Sequence, residues 1–168
     1  MEKRESMLSE RLPWICEDSA SQKLFELAQR VAPVPTTVLI TGESGTGKDY
    51  LARLIHELSP RRDTPYLKID CADLPPTLVE SELFGHERGA IPGAGERKLG
   101  RFEFGGEGTV VLDEVAALTP PVQTKLAGVM QERKFERLGS EETQSIDARL
   151  ICADQGRSVR FGQGRAFP

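Results

Sequence analysis

The sequence predicts an α/β fold, a three-layer αβα sandwich with a mainly parallel sheet in the middle. Three observations carry this. Short β-branched runs alternate with stretches of helical periodicity, the order that gives parallel strands joined by crossover helices. A glycine-rich turn, Gly42-Glu43-Ser44-Gly45-Thr46-Gly47-Lys48-Asp49, stands between a strand and a helix. A four-residue apolar run, residues 109–112, ends in Asp113-Glu114. A length of 168 residues suits one domain with a core of its own.

Residues 1–17 read as a charged, solvated leader without the apolar stretch of a signal peptide. Ser19 or Ser21 is placed to cap a helix whose apolar face is Leu24, Leu27, Ala28 and Val31, and Pro33 and Pro35 end it. Residues 37–41 form a buried strand. The glycine turn leads into a helix over 50–58 with Leu51, Leu54, Ile55 and Leu58 on one side. Residues 66–70 are a second strand, and 77–84 a short helix with Thr77 as N-cap and Glu80 three residues on. Residues 85–100 are rich in glycine and poor in large apolar side chains, so this loop is either disordered or functional. A glycine turn at 105–108 precedes the third strand. Thr119 with Pro120 and Pro121 opens a helix whose inner face is Leu126, Val129 and Met130. Residues 134–146 read as a small hairpin and 149–153 as the fourth strand. From 156 to 168 the chain is Gly/Arg-rich, expected to be poorly ordered, with Arg157, Arg160 and Arg165 solvated.

A net charge of −4 argues against a nucleic-acid-binding face as the main business of the chain. Three widely spaced cysteines, Cys16, Cys71 and Cys152, form no C-x-x-C and suit a reduced, cytoplasmic compartment. His56 and His86 are too far apart in sequence to suggest a metal site, and no apolar run is long enough for a membrane span.

The chemistry lies in the glycine turn. Gly42, Gly47 and Lys48 meet the pattern G-x-x-x-x-G-K, in which loop N–H groups and a helix N-terminus cradle phosphates and the lysine neutralises them. The eighth position, ordinarily Ser or Thr on Mg²⁺, is Asp49, whose carboxylate can accept from metal-bound water or complement the helix dipole. Asp113 ends its strand where an acid holds Mg²⁺ directly or through water, and Glu114 is suited to polarise the water that attacks a γ-phosphate. Two acids closing a strand carry little meaning alone; the upstream glycine loop gives them this reading. Gln155, just past the fourth strand, either senses the γ-phosphate or is an ordinary loop residue. Arg61 and Arg62 read as a solvated turn rather than a phosphate clamp.

The run from Val38 to Lys48 resembles the Walker A region of the bacterial enhancer-binding proteins, the AAA+ activators of sigma-54 RNA polymerase. The resemblance continues through Ile55-His56, Glu80-Ser81-Glu82-Leu83-Phe84-Gly85-His86-Glu87, Gly108-Thr109, Leu112-Asp113-Glu114 and Phe135-Glu136-Arg137-Leu138-Gly139, and covers residues 18–155. It implies a P-loop NTPase fold of the AAA+ type, ATP with Mg²⁺ as the nucleotide, ring-shaped self-association, and remodelling of polymerase driven by hydrolysis. It also accounts for Asp49, since the family has an acid there, usually glutamate.

Four departures set further expectations. Gly89-Ala90-Ile91-Pro92-Gly93-Ala94 stands where the family has Gly-Ala-Phe-Thr-Gly-Ala, the loop that touches sigma-54. Ile91 removes an aromatic ring, and Pro92 removes a hydroxyl and an N–H, so contact with sigma-54 is expected to be impaired. Asp70 stands where the family has an Asn that holds the catalytic glutamate in a switch, and a carboxylate cannot donate to Glu114. Gln155 replaces the sensor Asn. The sequence stops at Pro168, before the family's arginine fingers, fifth strand, helical lid and DNA-binding domain. The fold is therefore expected to be incomplete at its C-terminal end. Strand 37–41 should then be an edge, with ATP bound but little hydrolysed and no direct DNA binding by this stretch. The same departures leave a second reading, a non-hydrolysing regulatory or protein-interaction module. A small-molecule P-loop kinase is disfavoured by the family-specific blocks.

Overall fold

A computed structural model describes residues 18–156; the leader, Cys16 and the Arg-rich tail lie outside the described residues. Four parallel strands form the central sheet in the order β1-β8-β5-β2. They are β1 (Val38–Thr41), β2 (Tyr66–Asp70), β5 (Thr109–Asp113) and β8 (Arg149–Asp154). Side chains alternate across the two faces, as strand geometry requires. Val110, Leu112, Leu150 and Cys152 point to one face, while Val111, Ile151 and Ala153 point to the other. The second face is covered by α1 (Ser19–Val31) and α2 (Lys48–Glu57). The first is covered by α3 (Val79–Phe84), α4 (Arg101–Phe104) and α5 (Pro120–Glu132), with the tilted rings of Phe84, Phe102 and Phe135 meeting at its centre. The result is the expected three-layer sandwich.

Two caps differ from the sequence reading. Asp18, not Ser19 or Ser21, caps α1, accepting from the Ala20 and Ser21 amides at 2.8 and 2.9 Å. Its carboxylate reaches two orphan donors at once, and Ser21 spends its own hydroxyl on it. Thr77 does not cap α3. The Pro75 carbonyl accepts from the Leu78 and Val79 amides at 2.8 and 3.0 Å, so the turn itself satisfies them. Arg149 ends α1 by donating to the Val31 and Ala32 carbonyls.

Leu24 and Leu27 also depart from expectation, being 40% and 57% exposed. The reason is the position of β1. It lies at the edge of the sheet, so the outer part of α1 overhangs a groove of about 490 Å³ instead of a further strand.

Residues 85–100 form an arm. Short antiparallel strands β3 (Gly85–His86) and β4 (Lys98–Leu99) pair at its base. At its tip the Ala94 amide donates to the Ile91 carbonyl at 3.0 Å. With Pro92 second, and with Gly93 third at φ 85°, this is a type II β-turn. The base is held by the second hairpin, β6 (Lys134–Glu136) with β7 (Thr143–Ser145). The Glu87 amide donates to the Leu138 carbonyl, and the Leu138 amide to that of Gly85, at 2.9 and 3.0 Å. Gly139 lies against Ala90, where a Cβ would come within 2.7 Å of the alanine methyl. Beneath them Arg137 is buried between Glu103 and Glu87.

His56 is buried on α2, with Nδ1 2.9 Å from the Thr109 hydroxyl. Burial pushes its pKa below the usual 6.5. A group whose folded pKa is below its unfolded value stabilises fully above the unfolded pKa, and that stability is lost as pH falls. Denaturant midpoints should therefore decline as pH drops through 6.5. The His56 ring should titrate below 6.5 by NMR; a midpoint at or above that value contradicts the assignment.

Candidate functional site

Parallel pairing brings the carboxyl ends of β1, β8 and β5 side by side: Thr41 pairs with Asp154, and Leu112 with Cys152. Everything that follows these strands in sequence therefore gathers at one crevice, the place where α/β sheets bind ligands.

The glycine turn leaves β1 with the Gly42 amide bonded to the Asp154 carbonyl at 3.1 Å. Gly45 and Gly47 take positive φ, and α2 begins at Lys48, two residues earlier than its periodicity suggests. Glu43, Ser44, Gly45, Thr46 and Gly47 are exposed, so the loop and the amino end of α2 face open solvent. Lys48 Nζ folds back onto the loop's own Gly42 and Glu43 carbonyls, at 2.9 and 3.0 Å. The Thr46 hydroxyl donates to the Glu43 carbonyl at 2.8 Å, closing the turn. The loop thus offers a cation, backbone amides and a helix dipole to an anion.

Asp113 sits at the end of a fully buried strand and is 13% exposed. One of its oxygens accepts from the Glu114 amide at 3.0 Å, and the other faces Lys68 Nζ at 3.0 Å. Glu114 adopts φ 52° and ψ 48°, the left-handed region that non-glycine residues rarely occupy. Such strain persists where surrounding contacts impose it, and it clusters at functional sites. Here it turns the carboxylate toward Gln155, whose Nε2 donates to Oε1 at 2.9 Å. Asp70 does not supply that contact; its carboxylate accepts from the Ala72 amide at 2.9 Å, within its own turn. Gln155 and Asp70 are thus in the expected region, but it is Gln155 that holds Glu114.

Two participants escape a sequence reading. Lys68 joins Asp49 and Asp113, its Nζ lying 2.5 and 3.0 Å from the two carboxylates. Burial alone would lower its pKa; the hydrogen bonds it donates to both carboxylates reverse this and raise it. A single lysine in a strand carries no local signal of this. Asp154 is buried, accepting from the Ala116 and Gly156 amides at 3.2 and 3.1 Å while its carbonyl holds Gly42. It ties the glycine loop to the turn after Glu114, and an acid closing an apolar strand was the available hint. Arg61 donates to the Glu107 and Gly108 carbonyls, bracing the turn before β5 rather than facing the site.

The donor set suits a hard divalent cation. Asp49 and Asp113 are carboxylates that share one positive nitrogen, the charge arrangement a cation would meet there. Among the described residues no group of three or more His, Cys, Asp or Glu converges, so the remaining ligands would come from phosphate and water. The arm residues Gly89, Ala90, Ile91, Pro92, Gly93 and Ala94 form a separate hairpin tip.

Solved structures of NtrX from Brucella abortus, one in complex with ADP and one with ATP, are 34% and 32% identical to this chain. Their TM-scores are 0.75 and 0.76, and the match covers 92% of this chain and 35% and 33% of theirs. Two Nif-specific regulatory proteins, from Azospirillum lipoferum and Herbaspirillum seropedicae, are each 50% identical, over 139 and 151 residues. These matches span 83% and 88% of this chain but 22% and 28% of those proteins. The chain therefore corresponds to about a quarter of the length of such relatives. A family described as the sigma-54 interaction domain matches residues 14–163, and the chain belongs to that family as an AAA+ P-loop domain of the sigma-54 activator type.

Proposed function

We propose that residues 18–155 are the ATP-binding core of a sigma-54-dependent transcription regulator that couples ATP binding and hydrolysis to remodelling of RNA polymerase. The observation that carries this is the convergence, at one sheet edge, of a solvent-facing glycine loop with Lys48 and the acid pair Asp113-Glu114. Lys48 exchanges its loop carbonyls for β- and γ-phosphate oxygens, and Gly45, Thr46 and Gly47 present amides to the phosphates. Bound Mg²⁺ would supply positive charge to offset the charge that develops on the transferred phosphoryl group. Asp113, with Asp49 beside it, would hold that ion. Glu114 orients the attacking water, and Gln155 keeps its carboxylate in place. The NtrX structures with ADP and ATP support the choice of nucleotide.

The arm is read as the surface that meets sigma-54, and the working form as a cytoplasmic, self-associated ring. Direct DNA contact is not assigned to this stretch. Among the described residues no helix is long and apolar enough to cross a membrane. Calorimetric titration with ATP tests the core of the proposal: saturable one-to-one binding, competed by ADP, is expected, and its absence would overturn the reading. For the arm, Ile91→Phe with Pro92→Thr is compared with the parent in a protein that joins this domain to the other segments of the Azospirillum relative. A rise in sigma-54-dependent transcription is expected; no change removes the arm from that contact.

A further inference from the structure

The sheet alternation explains why a lysine reaches the acid pair. Leu67 and Ile69 pack into the α3–α5 face, so Lys68, between them in β2, points to the opposite face, where α2 lies. Asp49 is in the first turn of α2, and Asp113 ends the neighbouring strand β5. One ammonium therefore meets two carboxylates from two other elements, at 2.5 and 3.0 Å. Asp49 is 57% exposed, Lys68 35% and Asp113 13%, so the bridge lies at the mouth of the crevice, open to ions from solvent. Two carboxylates this close repel each other unless a cation separates them.

We propose that Lys68 is the resident counter-ion of Asp49 and Asp113, occupying the place a divalent cation takes, and so sets how strongly the domain depends on Mg²⁺ to accept nucleotide. This deepens the ATP-binding reading and rests on it. Without metal, Lys68 keeps the acid pair from repelling incoming phosphates. When Mg²⁺ arrives with nucleotide, the ammonium gives up the carboxylates and swings to solvent, which its partial exposure permits. Lys68 moves no proton and touches no reacting atom; it is a positioning residue. Removing its charge should have two opposite effects. The bare acid pair should take divalent cation more tightly, and metal-free nucleotide should be repelled.

The first test needs no nucleotide. Mn²⁺ alone is titrated into the chain and free ion is followed by electron paramagnetic resonance. Lys68→Met and Lys68→Gln are each expected to bind Mn²⁺ about tenfold more tightly than the parent, with Lys68→Arg unchanged. Parent-like Mn²⁺ affinity in either neutral variant, with circular dichroism showing native structure, overturns the proposal. The second arm measures a fluorescent ATP analogue with EDTA and with Mg²⁺. The ratio of the two dissociation constants should grow about tenfold in Lys68→Met; an unchanged ratio counts against the role. If the parent takes no nucleotide in either buffer, the ATP reading fails, and the Mn²⁺ titration still judges Lys68. If neither neutral variant folds, the parent decides. Its Lys68 side-chain ammonium resonance must shift on addition of Mg²⁺ with nucleotide, and a resonance that stays in place refutes displacement.

Discussion

Lys48→Ala is expected to weaken ATP binding roughly 10- to 150-fold, the equivalent of about 1.5–3 kcal/mol for hydrogen bonds to a charged group. The fold should be untouched. Among the described residues Lys48 Nζ donates only to the Gly42 and Glu43 carbonyls, and both lie on a loop that faces solvent and can bond water instead. The loss should therefore appear in a calorimetric titration with no matching fall in the denaturation midpoint. Lys48→Arg would keep the charge but needs more room beside Gly42, so it should recover only part of the affinity. Equal ATP affinity in the parent and Lys48→Ala would mean that phosphates do not sit in this loop.

Arg137→Ala is expected to destabilise the domain by about 3–5 kcal/mol, the usual cost of stranding one member of a buried ion pair. Arg137 is 3% exposed and Glu103 15%. The guanidinium grips Glu103 with Nε at 2.8 Å and a second nitrogen on the other oxygen, and reaches Glu87 at 3.2 Å. Burial alone would raise the Glu103 pKa, but the hydrogen bond from Arg137 outweighs it and holds the carboxyl below 4.5. That stability is complete above 4.5 and lost as pH falls below it, so the parent should weaken in acid more steeply than Arg137→Ala. Urea denaturation across pH reads both effects. A loss near 5 kcal/mol would approach the whole stability of a small domain. Replacing the pair together, Arg137→Met with Glu103→Leu, should regain much of it, because the carboxylate that remains, Glu87, is a third exposed and keeps Arg97 at 3.7 Å. A single variant as stable as the parent would show the pair to be solvated.

The central sheet was legible because each strand is a short β-branched run, and the helices between strands keep apolar residues three and four apart. The glycine loop was legible because its spacing is itself the chemistry. What stayed hidden depended on contacts far apart in sequence. Strands of two residues at the base of the arm are too short to show alternation, so 85–100 read as a loop although it is pinned to residue 138. Lys68 looks like any solvated strand residue until Asp49, 19 positions away, is brought beside it. Gln155 follows the fourth strand in sequence, but its partner is fixed by the left-handed backbone at Glu114, a conformation glutamate does not announce. Periodicity assigns Leu24 and Leu27 to the inner face because it reports a helix face and not how far the sheet beneath it extends.

The turn at the tip of the arm bears on how the arm can work. A loop that takes shape only on contact loses about 1–2 kcal/mol of backbone entropy for each residue it orders. Pro92 fixes one dihedral, and Gly93 adopts its positive φ without strain, so the tip carries little of that loss into an encounter. A prefolded tip also has little conformational freedom left with which to report events in the crevice. Nucleotide-driven motion would have to reach it from below, through the hydrogen bonds at Leu138 and the ion pairs of Arg137.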